Sequence, residues 1–312
     1  MTVGATPAPA TLAPMSGSYS FSFHYDGALR DYRLHVPPQA AGGKPLPLVL
    51  NLHGSTQSAI LQEGYSDMDA AADQDGYLVA YPDGTEDTAN GPSDEYSWNA
   101  GKCCGLPVTD HVDDVGFLLR VIDDVAKKTP VDLRRVYVTG MSSGGMMAYA
   151  MAAEASAHIA AIASVSGQVE LPSIHPSRPV PTMEFHSVDD PIAKWGGTDG
   201  EYSVMDGVHK WVRADGCDPT PHDGSTIVGA AGTTSSGETA TPVRYTGCRD
   251  GTEVVLWRLT GSGHVWPGSP LMDTATTQIL TGVGRGTTLI DANQLMWAFF
   301  RHYALPRTPG PS

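Results

Sequence analysis

The amino-acid sequence predicts an α/β domain with a mostly parallel central sheet, helices flanking both of its faces, and an antiparallel hairpin at the N-terminal edge. Three observations predict it. Short unbroken apolar runs such as PLVLNL, YLVAY and IAAIASV have the pattern of strands buried on both faces. Helix-like segments fall between them, so strands and helices alternate through most of the chain. Ahead of these, SYSFSFHYDG and LRDYRLHVP alternate polar and apolar residues around Asp26-Gly27, the pattern of a β-hairpin.

The elements follow in order. After the hairpin, PLVLNLHG is a central strand ending in glycine, Ser66 to Gln74 a short helix, and YLVAYPDG the next buried strand. Residues 85–110 are polar and Gly-rich, carry Trp98 and the adjacent Cys103 and Cys104, and read as one long functional loop. Asp113-Asp114 opens the helix VGFLLRVIDDVAKK, where acidic residues in the first turn and Lys127-Lys128 in the last complement the helix dipole. RRVYVTG is a strand and SSGGMMAYAMAAEA a helix; IAAIASVSG and VPTMEFHS are buried strands. SVMDGVHKWVRADG is a helix, EVVLWRLTG a late strand and DANQLMWAFFRHYAL an amphipathic C-terminal helix. No Pro/Gly-rich linker divides the chain into two cores. The expectation is a disordered leader over 1–16, one domain over 17–305 and a tail over 306–312.

Composition narrows the function. A net charge of −15, from 19 Lys+Arg against 34 Asp+Glu, repels polyanions, and with no Lys/Arg run it argues against nucleic acid as a partner. No apolar stretch is long enough to span a bilayer. The N-terminal MTVGATPAPATLAPMSGS lacks the basic and apolar regions of a signal peptide. It reads as the remnant left after a signal is removed, so an extracellular, monomeric protein is expected. Four cysteines fit export: Cys217 and Cys248 bracket a Gly/Thr/Ser-rich stretch that a bridge would pin, worth about 3 kcal/mol, while Cys103-Cys104 form a vicinal disulfide or stay reduced. Free thiols throughout are the alternative reading. Neither CxxC nor HExxH occurs, so no metal is expected.

The segment RRVYVTGMSSGGMMAYAMAAEA contains Gly140-Met141-Ser142-Ser143-Gly144, a G-x-S-x-G match. Its specificity comes from context, since a strand runs directly in and a helix directly out. A sharp strand-to-helix turn needs small residues on both sides, which Gly140 and Gly144 supply. It raises the Ser142 hydroxyl above the sheet beside a helix N-terminus, where developing negative charge is stabilised. Such a turn marks the nucleophile of an α/β-hydrolase. The register selects Ser142 and leaves Ser143 to offer its backbone N–H.

A serine hydroxyl needs a base, and in this fold acid and base follow in the order Ser, Asp, His. His264 lies in LTGSGHVWPG, a Gly-rich loop directly after a strand, whereas His158, His209 and His222 lack a preceding strand and His302 sits on the last helix. The acid should follow VPTMEFHS. Asp190, turned by Pro191, is the choice and Asp189 the alternative. With a histidine base, activity should fall on acidification, because imidazole in general takes up a proton near pH ~6.5. The loop LHGSTQSA, after the first buried strand, supplies one oxyanion donor, Thr56 or Ser55, and Ser143 supplies the second, each worth about 3–4 kcal/mol in the transition state.

LHGSTQSA, SWNAGKCCG…VDDVGF, GMSSGGMMA, HSVDDPIAKWGG and GSGHVWPG occur in one order over residues 18–303. In these motifs the chain resembles the polyhydroxybutyrate-depolymerase-like esterases, a group that includes feruloyl esterases of carbohydrate esterase family 1. The resemblance implies an extracellular α/β-hydrolase that cleaves carboxylic esters without a cofactor, with Ser142 as nucleophile, Asp190 as acid, His264 as base, and Thr56 and Ser143 as oxyanion donors. It also implies that Trp98, Trp195 and Trp266 lie at the substrate cleft. Two departures touch that cleft: Ser187 stands where the family often has glycine, and Ala193-Lys194-Trp195 where it often has Val-Pro-Tyr.

The substrates implied are feruloyl or related plant cell-wall esters and poly(3-hydroxybutyrate)-type polyesters, with acetylxylan and synthetic polyesters as alternatives. A peptidase or amidase could use the same triad. A non-catalytic binding protein on the same fold is the reading that the three triad side chains most disfavour.

Overall fold

The computed structural model describes residues 15–86, 95–198, 200–272 and 282–307. Most of the leader lies outside the described residues. The hairpin forms as its alternation requires. β1 (Gly17–Tyr25) pairs antiparallel with β2 (Ala28–Val36) around Asp26 and Gly27, whose φ values are 48° and 79°. Two consecutive left-handed residues give the turn that matches the twist of the flanking strands.

The continuous apolar runs become the interior strands β3 (Leu46–Leu52), β4 (Leu78–Pro82), β7 (Val131–Met141), β8 (Ala161–Val165), β9 (Thr182–Ser187) and β13 (Val254–Thr260). They pair parallel in the order β4-β3-β7-β8-β9-β13. The hairpin docks antiparallel on β4 through β2. At the far edge lies an element absent from the sequence reading. β12 (Thr239–Tyr245) runs antiparallel to β13 and carries the two-residue strands β10 (His222–Asp223) and β11 (Ile227–Val228). Pro242 in TATPVRY hides the strand from pattern reading, yet it falls between the residues that β10 and β11 pair with. The described residues of the 85–110 region include regular structure. β5 (Thr85–Glu86) pairs with β6 (Tyr96–Ser97), and α3 (Leu106–Thr109) follows.

Alternate residues of each interior strand enter opposite cores. Leu48, Leu50 and Leu52 meet Phe117 and Val121 of α4 (Asp114–Lys128), Met147 and Met151 of α5 (Ser143–Glu154), and Trp211 of α6 (Val204–Asp215). Val49, Val79 and Tyr81 face Met68 and Ala72 of α2 (Met68–Asp75) and Met296 and Phe300 of α7 (Ala292–Phe300). Helices therefore cover both faces, as expected. The expected helix over 66–74 is corrected to two: α1 (Ala59–Ser66) and α2, broken at Asp67, which takes a left-handed φ of 50°. Gly64 and the weak apolar stripe of AILQEGYS conceal α1. Asp113 caps α4 by accepting from the Gly116 N–H at 2.8 Å. Asp114 turns inward to a buried pair with Arg30 at 3.0 Å and accepts the Asn99 N–H, anchoring the segment that leads to the helix.

Cys217, after α6, is bridged to Cys248, after β12, so the disulfide closes the exposed segment that holds β10 and β11. Cys103 and Cys104 are paired with each other. Opening the Cys217–Cys248 loop, whose ends are 31 residues apart in sequence, costs about 3–4 kcal/mol. A Cys217→Ser/Cys248→Ser double variant is expected to lose that much stability in urea unfolding while its activity at 25 °C stays near wild type. An unchanged unfolding midpoint would contradict the role of the bridge.

Candidate active site

Loops at the C-terminal ends of β3, β7, β9 and β13 bring the expected residues to one place, where ligands bind on open parallel sheets. Between β7 and α5 the chain turns at Ser142, with φ 55° and ψ −120°. This sparsely populated conformation is typical of a strained functional turn. A Cβ on Gly140 would lie 2.5 Å from the Gly144 carbonyl carbon, and one on Gly144 would press into the Leu52 and His53 carbonyls. Glycine at 140 and 144 is therefore a requirement of the turn. The Ser142 N–H donates to the Val165 carbonyl at 2.8 Å, fixing the elbow to β8. Ser143 opens α5, so its N–H is among those a helix start leaves without an intrahelical partner.

His264 follows β13 in a loop held on two sides. Its N–H donates to the Val283 carbonyl at 2.6 Å, and the Ser187 hydroxyl donates to the Ser262 carbonyl at 2.5 Å. Ser187, a departure from the family pattern, thus ties the end of β9 to the histidine loop. His264 Nδ1 lies 2.8 Å from Asp190 Oδ2, with both residues buried. The other carboxylate oxygen of Asp190 accepts the N–H groups of Ile192 and Ala193 at 2.8 and 2.9 Å. Burial alone would raise the Asp190 pKa. The bond from His264, with the charges of His264 and His186, outweighs burial and holds the carboxyl below the usual range. Asp189, the alternative acid, is exposed and instead accepts the Gly261 N–H at 2.7 Å.

Ser142 and His264 line one cleft of about 550 Å³ with Gly54, Ser55, Thr56, Gln57, Tyr65, Met141, Ile192, Leu271 and Val283. Its walls are largely apolar and carry no Lys, Arg, Asp or Glu among the described residues. Thr56 does not fit its expected part: it sits at φ 59° and its N–H donates to the Tyr96 carbonyl at 2.9 Å. That N–H is committed to Tyr96; the hydroxyl of Ser55, the alternative residue, is buried and without a partner.

The tryptophans are corrected as well. Trp98 is fully buried, donates from Nε1 to the His53 carbonyl at 2.9 Å and packs 4.9 Å from the His53 ring. Trp266 is fully buried and donates to Asn293 Oδ1 at 3.1 Å. Both shape the site from behind, because an indole held in the core cannot reach a substrate. Trp195 is half-buried, edge-on to His186, and not part of the cleft wall. The aromatic wall is Tyr65, from the helix that pattern reading missed. Its hydroxyl accepts the Trp266 N–H at 3.1 Å, and burial pushes its pKa up to about 12.

His53 ties the loop at Gly54 to the backbone at Gly84. Its Nε2 must accept, since it meets the Gly84 N–H at 2.9 Å, and Nδ1 donates to the Gly54 carbonyl at 2.7 Å. Burial lowers its pKa to about 4. In the unfolded chain an imidazole protonates near ~6.5. Between those values the unfolded state binds the extra proton, so this contribution is lost as pH falls from about 6.5 toward 4. It amounts to up to about 3 kcal/mol. Urea unfolding at pH 7.5 and 4.5 should show a smaller acid loss for His53→Gln than for wild type; equal losses would contradict this.

Comparison with known proteins gives the family of the chain. The sequence model of the esterase PHB depolymerase family matches residues 30–200. The chain belongs to this family. Within and around it, the chain is 32% identical over 262 residues to NocK of Nocardia uniformis subsp. tsuyamanensis, provisionally named an esterase, covering 78% of this chain and 72% of that protein. It is 30% identical over 244 residues to feruloyl esterase B of Piromyces equi, covering 73% of this chain and 41% of that protein. Poly(3-hydroxyalkanoate) depolymerase C of Paucimonas lemoignei is 25% identical over 287 residues, covering 83% and 63%. The chain thus spans less than two thirds of these last two relatives. An acetyl xylan esterase from Aspergillus awamori superposes with a TM-score of 0.52 at 18% identity, covering 76% of this chain and 89% of that one, which shows a shared fold. As a member of the esterase PHB depolymerase family, the chain is a carboxylic ester hydrolase on an α/β-hydrolase-like fold.

Proposed function

We propose that Ser142, His264 and Asp190 form a catalytic triad that cleaves apolar carboxylic esters by two-step acyl transfer. The observation that carries this reading is the 2.8 Å contact of His264 Nδ1 with Asp190 Oδ2, while His264 and Ser142 share one cleft. Asp190 fixes the proton on Nδ1, leaving Nε2 bare to take the Ser142 proton as the hydroxyl oxygen attacks the ester carbonyl. The N–H groups of Ser143 and Ser55 hold the oxyanion. The alcohol leaves with the proton from His264, and water then attacks the acyl-enzyme by the same route in reverse. Every step uses residues of this chain and water.

The cleft favours a neutral, apolar acyl group. Tyr65, Met141, Ile192, Leu271 and Val283 offer apolar and aromatic surface with no cation to bind a carboxylate. Feruloyl-type aromatic esters and polyhydroxyalkanoate esters fit this chemistry, and the names of the Piromyces and Paucimonas relatives point the same way. Ile192 and Leu271 are 53% and 54% exposed on the cleft rim, a surface suited to the face of a polymer. The two disulfides favour an oxidising compartment outside the cell. A panel of methyl ferulate, short-chain nitrophenyl esters, nitrophenyl acetamides and polyhydroxybutyrate film tests the reading. Turnover of ferulate or film together with the nitrophenyl esters supports it. Faster turnover of the amides than of the esters would sink it.

A further inference from the structure

One buried group beside the triad is used by no step above. His186, on β9, is fully buried, and each of its ring nitrogens faces an acceptor. Nδ1 lies 2.8 Å from Glu184 Oε1, and Nε2 lies 2.7 Å from the Ala193 carbonyl and 3.8 Å from Asp190 Oδ2. A carbonyl oxygen can only accept, so Nε2 carries a proton. Glu184, two residues earlier on the same strand face, is 1% exposed, and its other oxygen accepts the Tyr149 hydroxyl at 2.9 Å. With that oxygen occupied by a donor, the carboxylate calls for a proton on Nδ1 as well.

We infer that His186 is a positively charged positioning residue, paired with the Glu184 carboxylate, that holds the turn from Asp190 to Ala193 so that Asp190 Oδ2 is presented ionised to His264. The inference rests on the reading of Asp190 as the orienter of His264. The groups that face His186 are Glu184 on its own strand, Asp190 and the Ala193 carbonyl from the following turn, and Trp195 edge-on at 6.1 Å. Tyr149 of α5 closes the far side of Glu184. Burial opposes a charged imidazole, but the Glu184 bond and charge, with the Ala193 carbonyl and Asp190, outweigh it and raise the His186 pKa.

The position of the charge has a consequence for the reaction. His186 acts on the same Asp190 Oδ2 that His264 touches, at 3.8 Å against 2.8 Å. Its Nε2–H also grips the Ala193 carbonyl, and the Ala193 and Ile192 N–H groups in turn grip Asp190 Oδ1. Removing the charge leaves more of the Asp190 field acting on His264, which favours imidazolium and costs the base its bare nitrogen at mildly acidic pH. Removing the grip loosens the turn that presents Asp190, and orientation lost at a triad lowers kcat.

The test has one arm that does not need activity. In histidine-labelled 15N NMR, the resonances absent from His186→Gln identify residue 186 in the wild-type protein. Two protonated ring nitrogens at pH 7 are expected; one protonated and one bare nitrogen would overturn the inference. The second arm is kinetic, using a nitrophenyl ester with Glu184→Gln, which keeps a hydrogen-bonding side chain, beside His186→Gln. A fall in kcat of about tenfold or more, with KM changed less, is expected. The acidic limb of the kcat/KM profile is expected to move to higher pH. Profiles that coincide with wild type in both variants would overturn it. Ser142→Ala reports separately on the esterase reading, and the NMR arm stands whichever way that variant behaves.

Discussion

A Ser142→Ala protein is expected to fold like wild type and to lose ester turnover by about 10⁴- to 10⁶-fold in kcat/KM, the scale on which removal of a triad nucleophile acts. The side chain contributes nothing to the backbone of the elbow, which is set by glycines at 140 and 144 and by the bond from the Ser142 N–H to Val165. Thermal unfolding should therefore stay within about 1 kcal/mol of wild type. Stopped assays with a nitrophenyl ester, alongside a melting curve, check both halves. Wild-type turnover in this variant would exclude Ser142 as the nucleophile, and Ser143, one residue away and buried with its hydroxyl unpaired, would be examined next.

An Asp190→Asn substitution is expected to cost about 10⁴-fold in kcat with little effect on folding, for a reason the hydrogen bonds make specific. Asp190 Oδ1 accepts two backbone N–H groups, from Ile192 and Ala193. The asparagine oxygen must stay there, since an NH₂ group facing two N–H donors would be left unpaired. The amide nitrogen is then placed against His264 Nδ1 in the position of Oδ2. It donates, so Nδ1 must give up its proton and Nε2 must carry one. The imidazole then presents an N–H to the nucleophile where it needs a lone pair. Kinetics at saturating substrate measure the loss, and the retained melting temperature shows that the fold survives. A loss smaller than tenfold would mean that Asp190 does not set the His264 tautomer.

The central sheet and the glycine turn at Ser142 were more legible in the sequence than the elements packed around them. Nucleophile elbows demand glycine at fixed offsets, and buried parallel strands demand unbroken apolar runs, so GMSSG after RRVYVTG was readable without neighbours. Asp190 could be chosen over Asp189 only provisionally from Pro191; the structure separates them by what each carboxylate accepts. What could not be read were the features decided by packing across the molecule. An edge strand with a proline and a helix with Gly64 in it lack strong local signals, yet β12 and α1 form because β13 and β3 give them something to pack on.

The same reason explains the misplaced tryptophans and oxyanion donor. A large aromatic near a motif can face either the cleft or the core, and sequence does not fix which. Trp98 and Trp266 face the core, while Tyr65 reaches the cleft from α1, the helix that follows LHGSTQSA. The Thr56 N–H is taken by the carbonyl of Tyr96, forty residues on. Likewise, nothing in HSVDD shows that His186 lies between Glu184 and the Ala193 carbonyl; that needs the turn after Asp190 to fold back over the strand.

The central claim is that one serine, made nucleophilic by His264, carries the reaction. A fluorophosphonate probe tests it most directly, because such probes form a stable bond only with an activated hydroxyl. The protein is titrated with the probe, residual esterase activity is followed, and the label is located by peptide mass spectrometry. The account predicts one label per chain, on Ser142, with activity lost in proportion and no labelling of Asp190→Asn on the same timescale. Full activity in unlabelled protein after prolonged exposure, or a label on another residue that tracks the loss of activity, would contradict it.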